Sequence, residues 1–343
     1  MSLATAFKSG DLTLLPSKRD EDWRWTDLRG LIREVPPPSP AFNGETPPGV
    51  FDHLAEDFHV LANGGSAQIV ADEGELTAVL RFLSANDGTA HAAKVSIEVA
   101  AGASLTLLET YEGYGAGYFA QADLTIRLGE GAKLERIALA GDDAEAISVS
   151  QAEVTLAAGS SYAQTVLTDG AKRQRIETRI AHPGAGASVR LDGGYLLRDR
   201  RHADLTTAIA HEGVDGTTSQ LTKGVVDDQA RGVFQGRITV AHGADRTDAR
   251  MGHHALILSD RAEVDAKPEL LIFADDVQCA HGNTVGALDE NQLFYAQQRG
   301  LPADAARALL TAAFVGEVID RIEHETARET ARAWLNQWLG VGE

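Results

Sequence analysis

The stretch Pro268-Glu-Leu-Leu-Ile-Phe-Ala-Asp-Asp-Val-Gln-Cys-Ala-His-Gly-Asn-Thr-Val-Gly286 separates two kinds of sequence pattern. Upstream of it, back to about Phe58, short runs alternate apolar and polar residues, which is typical of half-buried strands. Downstream of it, from about Asp289, apolar residues recur at helical spacing. The sequence therefore predicts a mainly β body followed by a C-terminal helical segment.

The strand-like runs recur with a period. Small-residue pairs, which suit tight corners, begin successive runs, and their glycines are 29, 28, 27, 30 and 27 residues apart. Such self-similarity is typical of stacked repeats, and repeated strands favour a β-solenoid over a helical array. Chance recurrence in a glycine-rich chain is the alternative, and six regular occurrences favour the solenoid. The pairs are Gly102-Ala103, Gly131-Ala132, Gly159-Ser160, Gly186-Ala187, Gly216-Thr217 and Gly243-Ala244.

Three segments follow from these patterns. Residues 1–57 form an N-terminal helical segment and a Pro-rich linker, since Pro36-Pro-Pro-Ser-Pro40 ends any helix. Residues 58–287 form the repeated core, and residues 288–343 form the C-terminal helical domain. Trp23 and Trp25 mix with apolar positions at near-helical spacing, and we interpret them as packing anchors rather than a ligand platform.

The C-terminal segment has clear helix boundaries. Asp289, with Gln292 three residues later, is typical of a helix start, and Gly300 suits the left-handed residue that ends it. An apolar stripe then runs from Ala305 to Trp338. Because a solenoid has open ends, we expect terminal helices to cap them, with part of the stripe left for a partner.

Two soft ligands lie close together in the opening stretch. Cys279 and His281 are two residues apart, so on a strand both side chains leave by one face and could share a metal. The alternative, which is more common for a lone pair of this kind, is that both are small core or interface residues. His253 and His254 are adjacent, so on a strand they point opposite ways and serve structure or surface.

Composition excludes several function classes. The net charge is -19, from 31 basic and 50 acidic residues, with no long basic run, which argues against a nucleic-acid partner. One cysteine cannot form an internal disulfide or hold a four-thiolate cluster. Residues 1–10 have no signal-peptide core, and no stretch is long enough to span a membrane, so we expect a cytoplasmic protein. No P-loop, nucleophile elbow or zinc-protease motif occurs, and we expect no catalytic residues.

The C-terminal motif resembles a known family. Cys279-Ala-His-Gly-Asn-Thr-Val-Gly286, followed by Gln292-Leu-Phe-Tyr295 and Arg299-Gly300, is similar to the C-terminal signature of the SufB/SufD family of iron–sulfur assembly scaffolds. Glu21-Asp-Trp-Arg-Trp-Thr-Asp-Leu28 resembles the N-terminal motif of the SufD branch, which the single cysteine also suits. The middle of the chain is weakly patterned and resembles the family only in the general character of its sequence, not in specific motifs.

The resemblance implies a right-handed parallel β-helix that serves as a scaffold. It further implies a SufB-like paralogue as heterodimer partner, a contact by sheet continuation near residues 270–279, and a SufC-like ABC ATPase docked on the C-terminal helices. A homodimer is possible in isolation. The nascent cluster would form in the complex, with His281 and Cys279 as metal ligands shared with a partner chain, and no cluster would be held stably by the single chain. The expected partner-binding residues are Phe294, Tyr295, Arg299, Phe314, Val318 and Ile322.

Two other function classes remain open at this point. Parallel β-helices also host carbohydrate-active enzymes, although aromatic residues make up only 6% of this chain, which leaves few sugar-stacking platforms. A purely structural interaction protein is the third possibility. Copurification with an ATPase favours the scaffold, cleavage of uronates favours the enzyme, and partners unconnected with iron or sulfur favour the third class.

Overall fold

The computed structural model describes residues 3–340 and shows a parallel β-helix, which confirms the predicted mainly β solenoid. Each coil gives one strand to each of two sheets, and each strand pairs in parallel with the strand two places along the chain. The strands make about eight coils. The nine-stranded sheet contains β1 (Asp57–Ala62), β3 (Glu75–Ser84), β5 (Ser104–Gly113), β7 (Lys133–Gly141), β9 (Ser161–Thr168), β11 (Ser188–Leu197), β13 (Thr217–Val226), β15 (Thr247–Ile257) and β17 (Val277–Gly286). The eight-stranded sheet contains β2 (Gly65–Ala71), β4 (Ala90–Val99), β6 (Phe119–Leu128), β8 (Ile147–Leu156), β10 (Arg173–His182), β12 (His202–His211), β14 (Arg231–Val240) and β16 (Glu263–Ile272).

A left-handed residue forms the corner that precedes most strands of the nine-stranded sheet. Before β13 this residue is Asp215, with a φ of 59°, so the prediction that Gly216 fills that corner is wrong. Before β15 both the predicted Gly243, with a φ of 81°, and Arg246, with a φ of 59°, are left-handed. Aspartate tolerates this conformation, and Arg246 pairs with its carboxylate at 2.6 and 2.8 Å. Before β5, β7, β9 and β11 the corner residues are the predicted Gly102, Gly131, Gly159 and Gly186.

The interior of the solenoid is the main core. Alternate side chains of each strand point inward and stack on the equivalent side chains of the next coil. Buried valine, leucine, isoleucine and alanine fill most of this space. One ion pair interrupts it: Arg136 and Glu109 are both fully buried and share two hydrogen bonds of 2.7 and 2.8 Å.

The N-terminal segment packs on the outer face of the eight-stranded sheet. Helix α1 (Leu3–Ser9) is followed by 3-10 turns, including Glu21–Trp23, rather than by a longer helix. Trp23 is buried there, so its interpretation as a packing anchor is confirmed. The Pro-rich linker then runs extended, with Pro37 accepting from, and Ser39 donating to, the backbone of Ala90 at 2.8 Å each.

The C-terminal helices do not cap the solenoid, contrary to expectation. Helices α3 (Ala303–Ile319) and α4 (Glu325–Leu339) lie along the outer face of the nine-stranded sheet, and α2 (Glu290–Gln298) precedes them. The reason is an apolar stripe on that face, which only a laterally packed helix pair can bury. The sheet residues in the stripe are Val79, Leu108, Ile137, Leu139, Leu167, Leu196 and Val225.

Between residues 3 and 340, no helix is long and apolar enough to cross a membrane.

Candidate functional site

The candidate site lies at the open end of the solenoid, formed by the last coil, β16 and β17. These are the terminal strands of the two sheets, so within residues 3–340 no strand pairs with their outer edges. Their inward-facing side chains stack on the previous coil from below but have no coil above them. We call this surface the open end; it contains Val264, Ala266, Pro268 and Leu270 of β16, and Val277, Cys279, His281 and Asn283 of β17.

Cys279 is half-buried at the open end. It lies in register with buried Ala249 of β15 and packs against the main core. Burial raises the pKa of the Cys279 thiol, and the nearby Asp248 carboxylate adds to this, although a backbone hydrogen bond with Ala249 opposes it. The free thiol is therefore mostly protonated near neutral pH, and a metal or a base must take its proton before it can bind as a thiolate.

His281 lies on the same inward row of β17 as Cys279. It is in register with buried Met251, just as Cys279 is with Ala249, which confirms that the two side chains share a face. The two differ in burial, because His281 is exposed where Cys279 packs into the core. Among residues 3–340, no cluster of three or more His, Cys, Asp or Glu side chains is arranged to hold a metal ion.

Beneath this row, His253 is fully buried and His254 is only partly buried, so the prediction that they face opposite ways is confirmed. The His253 ring stacks on Phe234 with centroids 4.7 Å apart and an interplanar angle of 2°. Its two nitrogens bond to Tyr195 Oη at 2.8 Å and to Asn283 Oδ1 at 2.7 Å. Sequence reasoning gave Asn283 no role, although its spacing from His281 placed it on the same row.

Two of the predicted partner-binding residues, Phe294 and Tyr295, lie on α2, and a third, Arg299, is the residue that ends it. Phe294 and Tyr295 are 63% and 61% exposed, far more than aromatic side chains in a core. The Arg299 guanidinium lies over the Tyr295 ring, with Cζ 4.9 Å from the centroid, and donates to its Oη at 2.5 Å. The structure thus brings these three together on one unburied surface.

The other three predicted partner-binding residues are placed differently. Val318 and Ile322 are buried against the nine-stranded sheet, which assigns both to packing within the chain. Phe314 is half-buried, and Lys223 Nζ lies 4.4 Å from its ring centroid. On the same helix, Leu309 is 54% exposed; the sequence placed it in the apolar stripe but not among the predicted partner-binding residues. The exposed part of the stripe is therefore at the start of α3.

A groove of about 410 Å³ separates α4 from the outer face of β5. Trp334 and Gln337 line one side, and Glu112 and Tyr114 line the other. Sequence reasoning missed it because its walls come from segments more than two hundred residues apart, with no local motif to join them.

The comparisons with known proteins agree with one another. The family described as "SUF system FeS cluster assembly, SufBD core domain" matches residues 82–314. The iron-sulfur cluster assembly protein SufD of Escherichia coli is 31% identical over 249 residues, which cover 72% of this chain and 58% of that protein. An iron-sulfur cluster assembly SufBD family protein of Synechocystis is 33% identical over 205 residues, covering 60% and 45%.

This chain therefore spans less than two thirds of the length of either relative. The family match nevertheless extends from the end of β3 through the rest of the solenoid and the motif around Cys279 and His281 to the middle of α3. It covers well over half of the 343 residues. The solenoid, the open end and the sequence similarity lead to one conclusion: the chain belongs to the SufBD core family of the SUF iron–sulfur cluster assembly system.

Proposed function

We propose that the protein is a non-catalytic scaffold subunit of a Suf-type iron–sulfur cluster assembly complex that works in the cytoplasm. The observation that carries this proposal is the open end, where Cys279 and His281 share one row of a strand whose outer edge is unpaired within the described residues. A site of this form is incomplete in one chain and is completed when a second chain continues the sheets.

The partner at the open end is a SufB-like paralogue. Unpaired strand edges favour addition of further strands, because main-chain groups are already aligned for hydrogen bonding. Apolar side chains next to these edges support the same reading, since Leu271, Ile272 and Val285 are 42%, 42% and 44% exposed, and Phe273 is 52% exposed. Without the paralogue, the same edges can pair with a second copy of this chain.

The nascent cluster is the cargo of the complex, and the ligand set of this chain fits a shared site. His281 offers an exposed imidazole, and Cys279 offers a thiol that binds once its proton is removed. A cluster held by protein side chains usually needs about four ligands. Two ligands on one row leave the remainder to the partner's cysteines, so the single chain holds no stable cluster.

The ATPase partner, a SufC-like ABC ATPase, docks on the C-terminal helical segment. The exposed aromatic side chains of α2, together with Leu309 on α3, make a surface that the chain itself does not bury. The neighbouring α3 is anchored on the solenoid flank through Val315 and Val318, and α4 through Ala331 and Leu335. A force applied to these helices is therefore transmitted to the sheet that carries β17.

Copurification tests the proposal. The tagged chain is co-expressed with its SufB-like and SufC-like partners, and captured proteins are identified by mass. Phe294→Glu and Leu309→Glu should each remove the ATPase but retain the paralogue, whereas Leu271→Glu should do the reverse. Ala185→Glu, at an exposed position in the corner between β10 and β11, is the surface control. Capture of neither partner by the wild-type chain would contradict the proposal.

A further inference from the structure

A line of hydrogen bonds connects the interior of the solenoid with the open end. Tyr195 and His253 are both fully buried, and Tyr195 Oη lies 2.8 Å from His253 Nε2. His253 Nδ1 lies 2.7 Å from Oδ1 of Asn283, which is in register with it on β17 and is exposed. A buried pair therefore holds the amide of an exposed residue that lies on the His281 row.

The direction of each hydrogen bond follows from the groups. Asn283 Oδ1 can only accept, so His253 Nδ1 must carry the hydrogen and donate. In the neutral imidazole, Nε2 is then the acceptor, and Tyr195 Oη donates to it. Burial lowers the pKa of His253 to about 4, which keeps the ring neutral near pH 7.

The two rings have little freedom to move. The His253 ring lies flat on Phe234, with 4.7 Å between centroids. Tyr195 fits only because glycine stands at two neighbouring positions: a Cβ on Gly224 would lie 2.1 Å from its ring, and one on Gly232 would lie 2.3 Å away. The position of the histidine donor is thereby fixed by packing, and it fixes the orientation of the Asn283 amide.

The oxygen of the Asn283 amide is held by His253, whereas its nitrogen makes no hydrogen bond within residues 3–340. Asn283 lies two positions from His281 on one strand face. That spacing corresponds to about 6.6 Å along a strand. With its oxygen held inward, the amide has its N–H groups available to donate to an acceptor that binds at the open end.

We propose that Asn283 is a positioning residue that donates an N–H hydrogen bond to an anionic sulfur at the shared cluster site, with His253 and Tyr195 fixing its direction. The acceptor is either sulfide of the nascent cluster or a thiolate of the partner chain. Hydrogen bonds to cluster sulfurs are one of the factors that set reduction potential. This inference rests on the proposed function and adds to it a donor residue, Asn283, and its effect on the reduction potential of the cluster.

The test uses the assembled complex, reconstituted with ferrous iron and with either natural or ³⁴S-labelled sulfide. Asn283→Ala should lower the reduction potential of the cluster, and Asn283→Asp, which keeps the inward oxygen but replaces the donor by an anion, should lower it further. His253→Phe keeps the stacked ring but frees the amide, so it should shift the potential in the same direction while Asn283 is still present. Gln278→Ala, on the outward row of β17, is the matched control.

Resonance Raman spectra identify the acceptor. If the ³⁴S-sensitive bridging modes shift in Asn283→Ala, the acceptor is sulfide, and if only the terminal iron–thiolate modes shift, it is a partner thiolate. Unchanged potential and spectra in both Asn283 variants overturn the inference, even if His253→Phe fails to fold. Failure of the wild-type complex to form any cluster would instead reject the proposed function, so the two failures are distinguishable.

Discussion

The guanidinium of Arg175 lies face-on against the indole of Trp23, with 4.3 Å between Cζ and the ring centroid. Arg175 is fully buried and pairs with Asp204 at 2.8 Å and Glu177 at 3.0 Å on the outer face of the eight-stranded sheet. It also donates to the backbone carbonyl of Asp22 at 2.7 Å. One arginine thus joins the N-terminal motif to strands β10 and β12.

Trp23→Ala should release the N-terminal segment from the sheet. Removing a buried aromatic side chain costs about 3 kcal/mol at the low end of the usual range, and here it also uncovers Arg175. We expect a lower urea midpoint and faster proteolysis in the linker around Pro36–Pro40. Trp25→Ala, at a half-buried position, is the control and should have a smaller effect. Equal protection of the linker in both variants would contradict this anchoring role.

The buried ion pair inside the solenoid should be sensitive to loss of either partner. Arg136→Met leaves the Glu109 carboxylate uncompensated in the interior, which costs roughly 3–5 kcal/mol. Arg136→Met combined with Glu109→Leu should restore much of that stability, as a double-mutant cycle in urea would show. Arg332→Gln breaks the exposed pair with Asp320 and should cost about 0–1 kcal/mol. The prediction is contradicted if Arg136→Met lowers the free energy of unfolding by no more than Arg332→Gln does.

Acid should destabilise the fold through buried histidines. Burial lowers the pKa of His202 to about 3, that of His211 to about 3 and that of His91 to about 4. Below the unfolded value of 6.5 the unfolded chain binds these protons and the folded chain does not, so stability falls from about pH 6.5 toward pH 4. Each histidine contributes up to about 1.4 kcal/mol per pH unit. Urea midpoints between pH 7 and 4 should fall less steeply in His202→Gln, and an unchanged slope would contradict the assignment.

A charge cluster should hold the turn between α3 and α4 on the sheet. Arg321 Nε lies 3.3 Å from Asp192 Oδ2, and Arg190 lies 2.9 Å from the same oxygen. Burial raises the pKa of Asp192 to about 6 despite both arginines. Arg321→Gln should therefore raise that pKa further and speed hydrogen exchange in the turn and the first turn of α4. Arg332→Gln is again the surface control, and equal exchange in both variants would contradict this role.

The shared ligand site should depend more on His281 than on Cys279. In the reconstituted complex, His281→Ala should lower the yield of cluster, because an exposed imidazole is removed from the row that faces the partner. Cys279→Ser should have the smaller effect, since that thiol is half-buried and its pKa is raised. Gel filtration and ATP hydrolysis should stay close to wild type in both. Loss of the complex itself in His281→Ala would show a structural role instead.

Much of the fold could be predicted from the sequence because every coil of a solenoid repeats the same local sequence pattern. Corner glycines and alternating strands gave the architecture, and their spacing matched the strand register wherever glycine held the left-handed position, as between Ser104 and Lys133. At Gly216 the glycine spacing is one residue out of step, because the left-handed residue there is Asp215. Gly216 is instead required by close packing, since a Cβ there would lie 2.5 Å from both His182 Cε1 and His211 Nδ1.

The candidate site could be predicted from the sequence only in part. Spacing placed Cys279 and His281 on one face, but burial of Val318 and Ile322 depended on where the helices pack, which a helical stripe alone does not specify. The role of Asn283 required knowledge of His253, thirty residues earlier, and that contact arises from strand register. Long-range placement, rather than local pattern, was the missing information in each case.

The stacking of coils also fixes the distance between the helix-bearing face and the ligand row of the protein. Helix α3 contacts β11 and β13, whereas His281 lies on β17, two strands further along the same sheet. Neighbouring strands are about 4.8 Å apart, so the helix contact and the ligand row are separated by a fixed rise of roughly 10 Å. Inserting or deleting one coil between β13 and β17 would change that distance by about 5 Å and leave both surfaces chemically intact.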